Sequence, residues 1–249
     1  LAERSKLEAK SQALAAAEWH ARAATFVGGS DFAEAARHWQ RARELLRGVA
    51  DDPRVPVLGA NACFRVLGRA FRVGLLAHEA QAVFDEGLDW AARTNDALWA
   101  GRLHQAMSVF EACDNRVDAA LRHAAEWERV ARTLPDADRR ACALWPTLVP
   151  YLTRGDLAMT RTNCMQQIAW TGEHPDWGMR DWGISALADA LSRLAGVELM
   201  DGTFEQARTL VERAVDQARR VKDLEGEAWA IITLGDLGFL AGEPDLARA

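Results

Sequence analysis

Apolar residues recur along this chain at three- and four-residue intervals, in segments several turns long that are separated by short polar or glycine-bearing turns. The pattern predicts helices near 5–27 and 31–49, 57–74 and 78–93, 97–112 and 116–133. It continues with 138–153 and 156–171, 180–199 and 203–220, then 223–241 and a cut helix from about 244. No alternating strand pattern competes with this reading.

The stretch "DGTFEQARTLVERAVDQA" at 201–218 shows the local grammar, with Ala207 as its anchor. The same grammar returns at Ala35, Ala80, Ala120, Thr160 and Ala247, so successive anchors lie 45, 40, 40, 47 and 40 residues apart. Five places before the anchors stand Ser30, Leu75, Asn115, Gly155, Gly202 and Gly242, mostly residues that turn a chain. Four places after come Trp39, Phe84, Ala124, Cys164 and Val211, on the same helical face. Twelve places before stand the small residues Ala23, Gly68, Ala195 and Gly235, where two backbones can approach closely. The unit is therefore helix, turn, helix. A single such hairpin cannot bury its apolar face, but stacked copies can.

Two stretches lengthen the period, "ADDPRVP" at 50–56 and "GEHPDWGMRDWG" at 172–183, both read as inserted connections. Pro146 and Pro150 fall inside the helix expected at 138–153, which must either start late or bend beside Trp145.

The grammar resembles the tetratricopeptide repeat family, on "FVGGSDFAEAARHWQRA" at 26–42, "YLTRGDLAMTRTNC" at 151–164 and "LMDGTFEQARTLVERAV" at 199–215, with Trp19 in the place of a first-helix tryptophan. The chain departs from the family pattern at Glu111, Thr160 and Leu75, and its period exceeds the family's usual length of about 34 residues. In that it resembles long-helix variants from sensor regions of bacterial signalling regulators. The resemblance implies an all-α fold, a right-handed solenoid of helical hairpins. Residues 1–249 would form one repeat domain of about five complete repeats plus a truncated sixth, as part of a larger protein. It also implies a concave face, lined by first helices, that binds a protein or peptide. Carried onto this chain, the inward places are Arg65, Arg69, Arg72, Arg102, Gln105, Trp145, Val149, Trp229 and Phe239.

Four-and-three spacing puts Arg65, Arg69 and Arg72 on one helical face, suited to bidentate contact with carboxylates or phosphate. The alternative is a solvated face balanced by Glu79, Asp85 and Glu86. Trp145, Trp229 and Phe239 either offer rigid contact area to a partner or seal the core. Trp177 and Trp182 belong to a lid or docking loop, or to a cap within the array.

Composition narrows the function. The chain has 249 residues, 49% of them hydrophobic, with a formal charge of -6 and a pI near 5.6. That gives no general attraction to nucleic acid or anionic lipid. Lysine occurs only at Lys6, Lys10 and Lys222, a bias that fits genomic composition or guanidinium recognition. No apolar run approaches the ~18 residues of a membrane span, and "LAERSKLEAK" has no signal-peptide core, so a cytoplasmic location is expected. Cys63, Cys113, Cys142 and Cys164 make no C-x-x-C pair and read as buried thiols. The six histidines form no H-E-x-x-H, and neither a phosphate-binding loop nor a nucleophile elbow is present. No catalytic, cofactor or metal residues are expected, and no nucleic-acid partner. The expected role is an interaction or sensor domain of a signalling or transcription-regulatory protein that engages an acidic segment or a neighbouring effector domain. The alternatives are a small-molecule pocket near Trp145 and a homo-oligomeric scaffold.

Overall fold

Asp31, Asp96, Asp156, Ser185 and Asp223 each begin a helix by accepting a hydrogen bond from a backbone N–H two or three residues on, which satisfies a donor that the helix itself leaves open. The helices they start belong to a computed structural model of residues 1–249, which describes all but residues 1, 29–30, 50, 137–139, 141–142 and 244–249. Ala247 and Cys142 lie outside the described residues. The described residues are all helix, turn and connection, and they divide into two compact units.

The first unit, Leu1–Val130, holds α1 (Ala2–Val27), α2 (Phe32–Arg47), α3 (Val55–Leu67), α4 (Ala77–Ala92), α5 (Ala97–Cys113) and α6 (Val117–Ala131). α1 pairs with α2 and α3 with α4 as hairpins, α5 meets α6 through the Ser108 hydroxyl on the Ala120 carbonyl, and α3 packs on both α2 and α5. The second unit, Ala131–Ala249, holds α7 (Trp145–Arg154), α8 (Leu157–Thr171), the one-turn α9 (Met179–Trp182), α10 (Ala186–Met200), α11 (Phe204–Val221) and α12 (Leu224–Leu240). There α10 is the central helix, against α8, α11 and α12.

The repeat positions behave as their spacing requires. Ala35, Ala80, Ala120, Thr160 and Ala207 are all buried, as are Trp39, Phe84, Ala124, Cys164 and Val211 one helical turn later. Asn115, Gly155, Gly202 and Gly242 take positive φ at the hairpin turns, and Gly74 supplies the same conformation one residue ahead of Leu75. In the second unit, Leu187, Leu191, Ala195 and Leu199 of α10 meet Ala207, Val211 and Ala214 of α11 along one seam.

Three helix boundaries differ from the pattern. α3 stops at Leu67, after which Arg69, Ala70 and Arg72 donate to carbonyls only three residues back, in a tightened turn that closes at Gly74. α7 starts late, with Trp145 and Pro146 in its first turn, where proline's missing N–H costs nothing. The helix expected at 180–199 is split: Gly183 at φ 72° ends α9, and the Ser185 cap starts α10. Cys63 and Cys164 are buried thiols, pushed up to about 12 chiefly by burial, but Cys113 is exposed at the end of α5, contrary to the sequence expectation. Among the described residues no helix is long and apolar enough to cross a membrane.

Small residues set how closely the first-unit helices approach. A β-carbon on Gly59 would lie 2.8 Å from the Trp90 ring, one on Gly87 2.6 Å from Leu103, and one on Gly101 2.8 Å from Val130. At an open helical site Gly→Ala stabilises by up to about 1 kcal/mol. We therefore expect Gly196→Ala in α10, where nothing lies within 4 Å of the new carbon, to raise the unfolding free energy. Gly59→Ala should lower it by about 1–3 kcal/mol, because the buried Trp90 ring must move. Urea unfolding of the two variants checks the opposite signs.

Candidate functional site

The tightened turn after α3 gathers arginines around aromatic faces. Arg65 lies 5.2 Å from the centroid of the Phe64 ring, and Arg102, reaching across from α5, lies 5.6 Å from the same ring and 5.0 Å from that of Trp99. Arg72 sits between Phe32 and Phe71, 4.7 Å from each. Such contacts contribute about 0.5–2 kcal/mol, more as water is excluded. The structure thus brings Arg65 and Arg102 together on Phe64, and sets Arg69 and Arg72 close enough for their charges to act on each other.

Arg69 is the most informative of the group. Its Nε is buried without a hydrogen-bond partner, and its Nη2 approaches Gly28 at the end of α1. Burial pulls its pKa below the usual arginine value, and burial followed by the charge of Arg69 does the same to Arg72. An arginine stays protonated throughout the neutral range, so the cost is borne as an incompletely solvated cation.

The acidic residues that might have balanced this cluster are engaged elsewhere. Glu86 accepts from Arg47 at 3.1 and 2.5 Å and lies 3.6 Å from the buried Arg43. Glu79 accepts from the Leu76 N–H at the start of α4, and Asp85 accepts from Gln81. Gln105, expected on the same surface, is fully buried, and its side-chain amide has no hydrogen-bond partner.

In the second unit the aromatic positions part company. The Trp145 indole N–H donates to Asp189 at 2.9 Å, Arg193 holds the same carboxylate oxygen at 2.8 Å, and the Trp182 ring meets Trp145 edge-on at 4.8 Å. The cavity among Trp145, Gly178, Trp182, Ile184 and Ala186 measures about 10 Å³, room for a single water. Val149 is half-buried on α7. Trp229 and Phe239, by contrast, stand out from α12 at 48% and 78% exposure, with Leu224, Ile232 and Leu240 also exposed on that helix.

The connection between α8 and α10 is folded into its own unit. Trp177 stacks on His174 at 4.0 Å, and its carbonyl accepts from the Ala186 N–H. Gln217 of α11 donates to the Pro175 carbonyl at 2.6 Å, and Ser185 donates to it at 3.1 Å. Gly178, at φ 94°, has no room for a side chain, since a β-carbon would lie 2.4 Å from the Ile184 carbonyl oxygen. Trp182 on Trp145 therefore makes this segment an internal cap.

Asp223 anchors that cap. It accepts from the Ser185 N–H at 2.7 Å and the Gly226 N–H at 2.8 Å while almost wholly buried. Burial raises its pKa, with the two N–H donors opposing that shift. No spacing signal marks this pairing in advance, because the partners are 38 residues apart. Asp223→Ala would strand two backbone donors, and we expect a loss of about 3 kcal/mol in urea unfolding together with faster proteolysis within 172–185.

Comparison with known proteins agrees with this architecture. The tetratricopeptide repeat family model matches residues 186–249. No curated protein matches the chain. Among solved structures, the chain is similar to that described as "Crystal Structure of Rap Protein Complexed with Competence and Sporulation Factor", with a TM-score of 0.69 and 16% sequence identity. The match covers 93% of this chain and 67% of the other. At that identity the likeness is one of fold. Residues 186–249 match the tetratricopeptide repeat family model, and the described residues have the all-helical fold of a tetratricopeptide-type repeat protein.

Proposed function

We propose that this chain is a binding domain for an acidic protein or peptide segment, within a cytoplasmic signalling or transcription-regulatory protein, and that Arg65 of α3 with Arg69 and Arg72 of the turn after it are its principal contact. The observation that carries this reading is Arg69, a cation with a buried, unpartnered Nε beside Arg72, while the nearby acids Glu79, Asp85 and Glu86 are committed to other bonds. A partner carboxylate approaching the half-buried Arg69 side chain and its neighbours would offset the cost of the incompletely solvated charge, with the planar guanidinium favouring bidentate contact. The Rap protein of the similar structure is complexed with Competence and Sporulation Factor, which is consistent with recognition as the activity of such a fold. Binding rather than catalysis is the role proposed.

A second reading rests on a different surface. The exposed Trp229, Ile232 and Phe239 of α12 give an apolar face suited to association, either with a second copy or with a neighbouring effector domain. The filled space beside Trp145 gives the small-molecule alternative no comparable support.

Affinity capture with the unmodified chain and with Arg65→Glu/Arg69→Glu, followed by mass spectrometry and fluorescence polarisation of acidic segments from the retained proteins, tests the first reading. We expect binding that weakens with salt and falls at least about tenfold in the double variant, with helicity unchanged. Equal binding by both proteins, combined with loss in Trp229→Ala/Phe239→Ala, would transfer the role to α12.

A further inference from the structure

Two histidine pairs outside the arginine cluster occupy matching places in two hairpins of the first unit. His38 follows the buried anchor Ala35 by three residues, as His123 follows Ala120, and their partners His20 and His104 come from the first helix of each hairpin. The facing Nδ1 atoms are 2.7 Å apart in the α1–α2 pair and 2.9 Å apart in the α5–α6 pair. The rings are tilted by 46° and 41°, and one aromatic ring stands edge-on to both members, Trp19 in the first pair and Phe84 in the second. The intervening hairpin, α3–α4, has Val83 at the corresponding place after Ala80.

An Nδ1 to Nδ1 contact at this distance is a hydrogen bond, so one ring carries the Nδ1 proton and the other presents a lone pair. In the first pair the Glu34 carboxylate is 3.3 Å from His38 Nε2, which favours the proton there and leaves Nδ1 to accept from His20. A pair with one added proton still shares a hydrogen bond. With two added protons, both nitrogens become donors facing each other, and two positive rings repel at contact.

We propose that the two pairs are acid-sensitive latches, each holding its two helices together while at least one ring is neutral and releasing them when both rings are protonated. The charged surroundings do not remove this conflict. Arg41 of α2 opposes charge on His20, and Glu34 faces His38. Around the second pair, Glu126 favours a charged His104 while Arg129 opposes it, and Arg122 with His104 opposes charge on His123; from α4 the uncharged Phe84 ring meets both. Burial is the largest influence on His20, His104 and His123 and lowers all three, His123 to about 4. The unfolded chain therefore takes up more protons than the folded one as pH falls below about 6.5, so the latch contribution is complete above that pH and is lost on the descent. Among the described residues no group of three or more His, Cys, Asp or Glu is placed to hold a metal ion. The arginine-bearing hairpin α3–α4 lies between the two latched hairpins in sequence, and α3 packs on both α2 and α5.

Hydrogen exchange read by mass spectrometry at pH 7.5 and 4.5, corrected for intrinsic rates, tests the proposal hairpin by hairpin. We expect acid to reduce protection in α1–α2 and α5–α6 by about tenfold more than in α3–α4. His38→Gln should reduce that acid response in α1–α2 alone and His123→Gln in α5–α6 alone, since glutamine keeps a polar contact and cannot be protonated, leaving only the burial of the remaining ring. Equal loss in all three hairpins, or an unchanged acid response in the variants, overturns the proposal. Should a variant fail to fold, imidazole nitrogen spectra of the unmodified chain decide: two coupled steps per pair, the second well below the ordinary histidine value, support the latches, and independent steps near 6.5 overturn them. Zinc bound by the unmodified chain and not by His38→Gln also overturns them, because the rings would then hold a metal ion.

Discussion

Helices in the first unit approach until a ring or branched side chain occupies the space that a neighbouring β-carbon would need. Gly59 receives the Trp90 ring, Gly87 receives Leu103 and the β-carbon of Cys63, and Gly101 receives Val130 and Trp127. Each contact ties one hairpin helix to the next at a fixed rotation. Because interiors are packed at crystal-like density, a rotation set at one interface is passed on to whatever else that helix presents. The positions of Phe64, Arg65 and Arg102 follow from this interlocking, since α3 and α5 must lie side by side for one ring to serve two guanidinium groups.

The same tight packing explains why charge is unevenly settled in the first unit. Arg43 is buried with Glu86 at 3.6 Å, and Glu86 is also held by Arg47, so a single carboxylate serves two cations. The arginines around Phe64 and Phe71 rest on π-faces, which stabilise a cation without neutralising it. Arg69 beside them keeps a buried Nε without a hydrogen-bond partner, and burial pulls its pKa below the usual arginine value.

Order in the second unit comes from a buried polar network. Asp223, Ser185, Gln217 and the Pro175 carbonyl tie the α8–α10 connection to α11 and α12, and Trp182 closes it over Trp145. Asp223 and Gln217 join the connection to α12 and α11, while the Ser185–Pro175 bond closes the connection on itself. Of the readings open to this segment from sequence, lid, docking loop or cap, these bonds are those of a cap, and Trp229, Ile232 and Phe239 of α12 stay exposed.

The hairpin array was legible in the sequence because its signals are local. The small residues Ala35, Ala80, Ala120 and Ala207, with Trp39, Phe84, Ala124 and Val211 a turn later, are all buried, and Asn115 and Gly202, five places before two of the anchors, take the positive φ of a turn. Thr160 was legible as a variant of the same place, since its hydroxyl donates back to the Asp156 carbonyl and leaves the helix intact. The early end of α3 was not, because residues 68–73 read as helix by periodicity while Arg69, Ala70 and Arg72 donate to carbonyls three residues back. Tertiary structure alone decided that Glu86 belongs to Arg47, that Trp145 gives its N–H to Asp189, that Gln105 is buried, and that His20 meets His38 as His104 meets His123. The physical reason is one of range: helix periodicity and turn chemistry determine which face a side chain occupies, whereas its partner depends on which helix arrives opposite it and at what rotation.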